Sequence, residues 1–159
     1  MEKISVKIED KEILVNFWKT NKVKLNGIFY IHHGMAEHIE RYDYVAKKLN
    51  NHGYSVAGYD QLGHGCNQAE GKGIFAKSDG WNKVIKEATA VSNHFYNLYP
   101  SSPSYLLGHS MGSFISMNVA NNIKNLKGIF LTGTYLPTKI EIYFLKFLLG
   151  FERLFSSRN

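Results

Sequence analysis

Five residues, Gly108-His109-Ser110-Met111-Gly112, constrain this chain more than any other stretch. Tyr105-Leu106-Leu107 before them reads as a strand, and Phe114-Ile115-Ser116-Met117 after them reads as part of a helix. The chain must therefore pass from extended to helical backbone within a single turn. A turn of that kind forces its central serine into a strained conformation with Oγ thrust out of the sheet. Glycines two residues before and after it let neighbouring backbone approach without a Cβ clash. The bare G-x-S-x-G pattern is short enough to arise by chance as a Gly/Ser turn, and its flanking strand and helix are what single it out. Ser110 is thus the candidate nucleophile, with Gly108, His109 and Gly112 building the turn around it.

The rest of the chain supplies a matching frame. Ile4, Val6 and Ile8 alternate with polar residues, Glu9-Asp10-Lys11 turns, and Ile13, Val15 and Phe17 alternate again, which predicts a hairpin. Ile28-Phe29-Tyr30-Ile31 is a short unbroken apolar run, the signature of a strand covered on both faces. Tyr42, Val45, Ala46 and Leu49 recur at helical spacing before Gly53, and Tyr54 to Tyr59 reads as the next strand. Trp81 to Leu98 carries the apolar face of a long helix, with Ser78 or Asp79 as its expected cap and Pro100 beyond its end. Ser110 to Asn122 reads as a helix and Gly128 to Thr132 as a strand. Two antiparallel strands followed by alternating strand and helix predict an α/β fold, a mostly parallel sheet with helices on both faces.

Composition narrows the function classes. The chain has 159 residues, 44% hydrophobic and 20% charged, which excludes a disordered tail. It is shorter than the roughly 200 to 250 residues of many single α/β domains. Its one cysteine, Cys66, forms no intramolecular disulfide, so a reducing, cytoplasmic setting is expected. The N-terminus leads into no apolar signal region, and no run approaches the about 18 apolar residues of a membrane span. The net charge of +6 is carried by singly scattered Lys and Arg, without the clustering that a nucleic-acid footprint requires. No nucleic-acid partner is expected.

Ligands in such sheets gather at the carboxyl ends of the strands. One of those ends is His32-His33-Gly34-Met35-Ala36-Glu37-His38. Stabilising an oxyanion takes two backbone N–H groups aimed at one point, one from the residue after the nucleophile and one from this loop. The expected donors are Met111 and Met35. A metal site built from His32, His33 and His38 is the rival reading, disfavoured because neighbouring strand residues point to opposite faces and no partner has ligand spacing. Neither metal nor cofactor is expected. In Asp60-Gln61-Leu62-Gly63-His64-Gly65, His64 between two glycines reads as structural, and Asp60 as an anchor for nearby backbone N–H groups.

Taken together, His33-Gly34-x-x-Glu37-His38-x-x-Arg41-Tyr42, Asp60-x-x-Gly63-His64-Gly65 and Gly108-His109-Ser110-Met111-Gly112 resemble the α/β-hydrolase superfamily. Within it they are similar to the monoacylglycerol lipase and lysophospholipase group, also called the serine aminopeptidase S33 or hydrolase-4 group. The resemblance runs from about residue 27 to about residue 137. It implies Ser110 as nucleophile, the Met35 and Met111 amides as the oxyanion hole, a long-chain acyl ester as substrate and no cofactor. Two positions depart from the family pattern: Cys66-Asn67 stands where a serine is usual, and Ser113 where the turn usually continues with another glycine. Both are small residues, so altered loop detail is expected rather than a lost fold.

The family's acid and base follow the serine in chain order. Beyond Ser110 this sequence holds no Asp and no His, and its only acids there are Glu141 and Glu152. Residues 1–137 therefore read as the N-terminal part of an α/β-hydrolase domain, its sheet truncated after about the sixth strand, and 138–159 as the start of a cap or lid segment. From Ile140 to Phe155 apolar residues recur at helical spacing, either covering the chain's own core or, at residues 140–155, touching a membrane surface or lining an acyl channel. The expectation is a serine esterase for monoacylglycerols or lysophospholipids, with a thioesterase, peptidase or acyltransferase open on the same turn. The alternative is a catalytically inactive lipid-binding or interaction module. Acyl length, head group and oligomeric state leave no mark in the sequence.

Overall fold

A computed structural model describes residues 1–135 and residue 138. The alternating apolar residues at the N-terminus form β1 (Glu2–Ile8) and β2 (Lys11–Trp18), joined by a tight turn at Glu9-Asp10 and paired with Ile4 opposite Val15 and Val6 opposite Ile13. β3 (Gly27–His32) is buried along its whole length, which accounts for its unbroken apolar run. β4 (Tyr54–Tyr59), β5 (Ser104–His109) and β6 (Leu126–Thr132) complete a six-stranded sheet in the order β1-β2-β4-β3-β5-β6. β2 meets β4 antiparallel, whereas β4, β3, β5 and β6 run parallel.

Helices cover both faces, as the element order predicts. α1 (Asp43–Asn51), entered through a 3-10 turn at Ile39–Tyr42, packs Ala46 against Trp18, Phe29, Ile31 and Val56. The opposite face receives α2 (Gly80–Leu98) and α3 (Met111–Val119), whose Val84, Val91, Phe95, Ile115 and Val119 pack on Val15, Phe17, Tyr30 and Leu106. Burying a side chain of this size is worth about 1.5–3 kcal/mol, so the two clusters make the sheet a rigid platform for its loops.

Two local expectations are corrected. The helix expected over residues 110–122 begins after Ser110 and tightens into a 3-10 turn at Ala120–Asn122. No side chain caps α2: Asp79 occupies the cap position in the left-handed region, φ 55°, and its carboxylate accepts from the Asn82 side chain instead. β6 pairs only with β5 among the described residues, and its Phe130 is 51% exposed. The apolar stretch Ile140 to Phe155, with its expected membrane contact and the 138–159 cap reading, lies outside the described residues save for Thr138. Among the described residues no helix is long and apolar enough to cross a membrane.

One buried charge ties three elements together. Glu87 of α2 has a side chain only 1% exposed, pairs with Lys11 at the start of β2 and accepts from Asn67 Nδ2 in the loop after β4. Burial raises its pKa above the ordinary carboxylate value of 4.5, with Lys11 and Asn67 opposing. The folded state therefore binds this proton more tightly than the unfolded chain. The resulting stability is fully present below pH 4.5 and is lost as pH rises through the folded-state pKa. Urea titrations of the unmodified chain and Glu87→Gln should accordingly diverge above pH 4.5, with the unmodified chain losing stability relative to the variant. Parallel pH profiles would refute this account.

Candidate active site

The backbone of Ser110 sits between β5 and α3 at φ 50°, ψ −115°, a conformation that L-residues avoid. Hydrogen bonds hold it there from both directions. Its N–H donates to the carbonyl of Thr132 at the end of β6 at 2.9 Å, and its carbonyl accepts from Ser113 N–H at 2.9 Å and Ser113 Oγ at 2.6 Å. Ser113, the residue that departs from the family pattern, thus contributes an extra bond to the turn. The flanking glycines are steric requirements. A methyl group on Gly112 would drive into the carbonyl oxygen of His32, and one on Gly108 would meet the Gly112 carbonyl and Ser116 Oγ. The start of α3 is thereby pressed backbone to backbone onto the end of β3.

That contact brings the loop after β3 to the serine. A Cβ on Gly34 would lie 3.3 Å from Ser110 Cβ and 3.2 Å from the His109 ring and from Glu37 Oε2, so a side chain there would require these neighbours to give by a few tenths of an ångström. Met35 exposes 70% of itself while Met111 is buried, yet both line one cleft of about 500 Å³ together with Gly63, His64 and Phe75. Among the described residues no carbonyl accepts from the N–H of Met35. Met111 opens α3, where a helix offers its N–H no i−4 carbonyl. A hydroxyl on a strained turn, next to a helix N-terminus that favours negative charge, is chemically suited to attack an electrophile and leave an anion behind.

The charged groups around the cleft hold backbone. Glu37 accepts Gly34 N–H at 2.9 Å and the Tyr42 hydroxyl at 2.8 Å, pairs with Arg41 at 3.2 Å and lies 3.9 Å from His109 Nε2. Burial alone would raise its pKa, but these donors together keep it below the ordinary carboxylate value. Asp60 accepts Ile39 N–H at 2.8 Å and Cys66 N–H at 2.9 Å, the anchoring arrangement expected from its place in the turn. His64 is buried, with Nδ1 2.9 Å from the Leu62 carbonyl, and Asn67 closes the same loop through backbone bonds with Gly63 and His64.

The paired histidines diverge. His32 turns to Ser116 Oγ at 2.8 Å, and burial pushes its pKa down to about 3. His33 turns the other way, to the Gly34 carbonyl and Gln61 N–H. Among the described residues no group of three or more His, Cys, Asp or Glu side chains is arranged to hold a metal ion. His109, next to the serine, bonds through Nδ1 to Thr132 Oγ1 at 2.9 Å. Reading the sequence missed Gln61 and the Thr132 carbonyl altogether. Neither sits in a pattern that distinguishes it from an ordinary loop or strand residue.

Residues 24–157 match the family described as serine aminopeptidase, S33. The chain is 31% identical over 119 residues to a monoglyceride lipase homolog of Monkeypox virus, spanning 75% of this chain and 41% of that protein. It is 30% identical over 115 residues to a monoglyceride lipase of Rattus norvegicus, spanning 72% of this chain and 36% of that one. Among solved structures, a highly thermostable carboxyl esterase from Bacillus coagulans in complex with glycerol superposes with a TM-score of 0.72 at 26% identity, covering 84% of this chain and 44% of its own. The chain thus spans less than half the length of each.

The strain at Ser110 has a measurable consequence. Ser110→Gly, which removes the Cβ from an unfavourable φ/ψ region, should raise stability to denaturant by about 1 kcal/mol. Ser110→Ala, which retains the Cβ, should not. Equal unfolding midpoints for the two variants would show that the turn is unstrained.

Proposed function

The chain belongs to the serine aminopeptidase S33 family of α/β-hydrolases, and from that premise we propose that Ser110 is the nucleophile of an ester hydrolase acting on monoacylglycerol- or lysophospholipid-type esters. One observation carries this reading: a serine held at positive φ on a strand-to-helix turn, close against a glycine whose following amide has no acceptor among the described residues. In the proposed reaction Ser110 Oγ attacks the ester carbonyl, and the charge that develops on oxygen is met by the Met35 and Met111 N–H groups. One such donor is typically worth about 3 kcal/mol of transition-state stabilisation. Collapse of the tetrahedral species breaks the ester C–O bond and expels the alcohol, which takes up the serine's proton, and water then hydrolyses the acyl-serine to the free acid and serine. The side chains of Met35, Met111 and Phe75 give the cleft an apolar lining suited to an acyl chain. The lipase names of the sequence relatives support the same substrate class.

The serine proton needs a base, and in this fold acid and histidine follow the serine. None of the residues after Ser110 in this sequence is Asp or His. A second reading is that the cleft, with its apolar Met35, Met111 and Phe75, binds an acyl ester without cleaving it and the protein serves as a lipid-binding or interaction module.

A fluorophosphonate probe separates the two. We expect labelling on the peptide bearing Ser110, absent in Ser110→Ala and accelerated by added imidazole, which can act as a general base. Labelling no greater than that of Ser110→Ala, with or without imidazole, would leave the binding-module reading standing.

A further inference from the structure

The two amides proposed to face the oxyanion are held by different means. Met111 N–H is oriented by α3, whose first residue it is. Met35 lies in the loop after β3, outside any strand or helix, and among the described residues no carbonyl accepts from its N–H. Its direction must come from the peptide that precedes it. A trans peptide is planar, so the Gly34 carbonyl and the Met35 N–H point in opposite directions, and whatever holds the first aims the second.

The Gly34 carbonyl is held by a buried ring. His33 Nδ1 lies 2.8 Å from Gly34 O, and His33 has no exposed surface. The other ring nitrogen, Nε2, lies 3.1 Å from the backbone nitrogen of Gln61. A backbone N–H only donates, so Nε2 must carry the lone pair and the ring proton must sit on Nδ1. His33 Nδ1–H therefore donates to Gly34 O. The Gln61 carboxamide also donates to the His33 carbonyl at 3.1 Å, so Gln61 grips His33 by backbone and by side chain. On the other side of the same residue, Gly34 N–H is taken by Glu37. Both polar groups of Gly34 are thus committed to side chains.

We propose that His33 is a positioning residue: its Nδ1-protonated ring, bracketed by Gln61, sets the Gly34–Met35 peptide and aims the Met35 N–H at the space in front of Ser110. The proposal rests on the reading of Ser110 and Met35 given above. A buried histidine that merely fills volume would be indifferent to which nitrogen carries the proton and would be replaced without loss by an apolar side chain of similar size. A positioning histidine is not.

The test uses the full chain and its His33→Asn and His33→Leu variants. Asparagine offers an N–H near the place of Nδ1, whereas leucine offers none. In the unmodified chain, long-range ¹H–¹⁵N spectra should show His33 protonated at Nδ1 and bare at Nε2. The opposite tautomer would overturn the proposal. The Met35 amide resonance should move in His33→Leu and return towards its original position in His33→Asn. Phosphonylation of Ser110, in which Oγ bonds to phosphorus, fluoride leaves and the serine proton passes to solvent, should slow by about tenfold in His33→Leu and largely recover in His33→Asn. Equal rates in the two variants, or a Met35 resonance unmoved by leucine, would refute the role. Should His33→Leu fail to fold, the tautomer and the asparagine variant decide. Should the unmodified chain label no faster than Ser110→Ala, the nucleophile reading fails, while the tautomer and the Met35 resonance still test what His33 does to its loop.

Discussion

A helix start and a strand end touch backbone to backbone where Gly112 meets the His32 carbonyl, and the geometry of the cleft depends on that contact. It tolerates no side chain. Because the two backbones meet, the loop that follows β3 lands beside the turn that precedes α3, and Gly34 is brought against Ser110. The serine's unfavourable φ and ψ are sustained by the surrounding bonds, the Thr132 carbonyl on one side and the Ser113 side chain on the other. Stability from the buried sheet and its helices is thereby spent on one strained residue.

Around that contact the ionisable side chains serve mainly to hold backbone. Glu37, Asp60 and His33 each take or give hydrogen bonds to loop peptides. Carboxylates that accept backbone N–H groups stay ionised, and a buried imidazole stays neutral, so the loops keep one arrangement over the ordinary pH range. In the proposed reaction, amides held in this way meet the developing charge without reorganising, which is the condition under which such donors are most effective.

Much of this is legible in the sequence. The hairpin, the alternating strands and helices, and the turn at Ser110 follow from apolar spacing and from glycines at defined positions, because local backbone preference and one-sided burial act over a few residues. Asp60 was legible as a turn anchor through Cys66, six residues on, whereas its bond from Ile39 N–H, 21 residues back, was not. The helix caps were not: Asp79 has a capping residue's chemistry but adopts a left-handed backbone that turns its carboxylate to Asn82. Gln61 and Thr132 were invisible, since their partners, His33 and Ser110, lie 28 and 22 residues away in the chain.

The sequence by itself determined the class of fold and the place of the strained serine, because each is specified by a short pattern with a steric cause. Only the tertiary structure decided which way His33 faces and that Gln61 grips it through both backbone and side chain. Those facts depend on pairings across the sheet, where a residue's neighbour in space is set by strand order and leaves no trace in its neighbours along the chain.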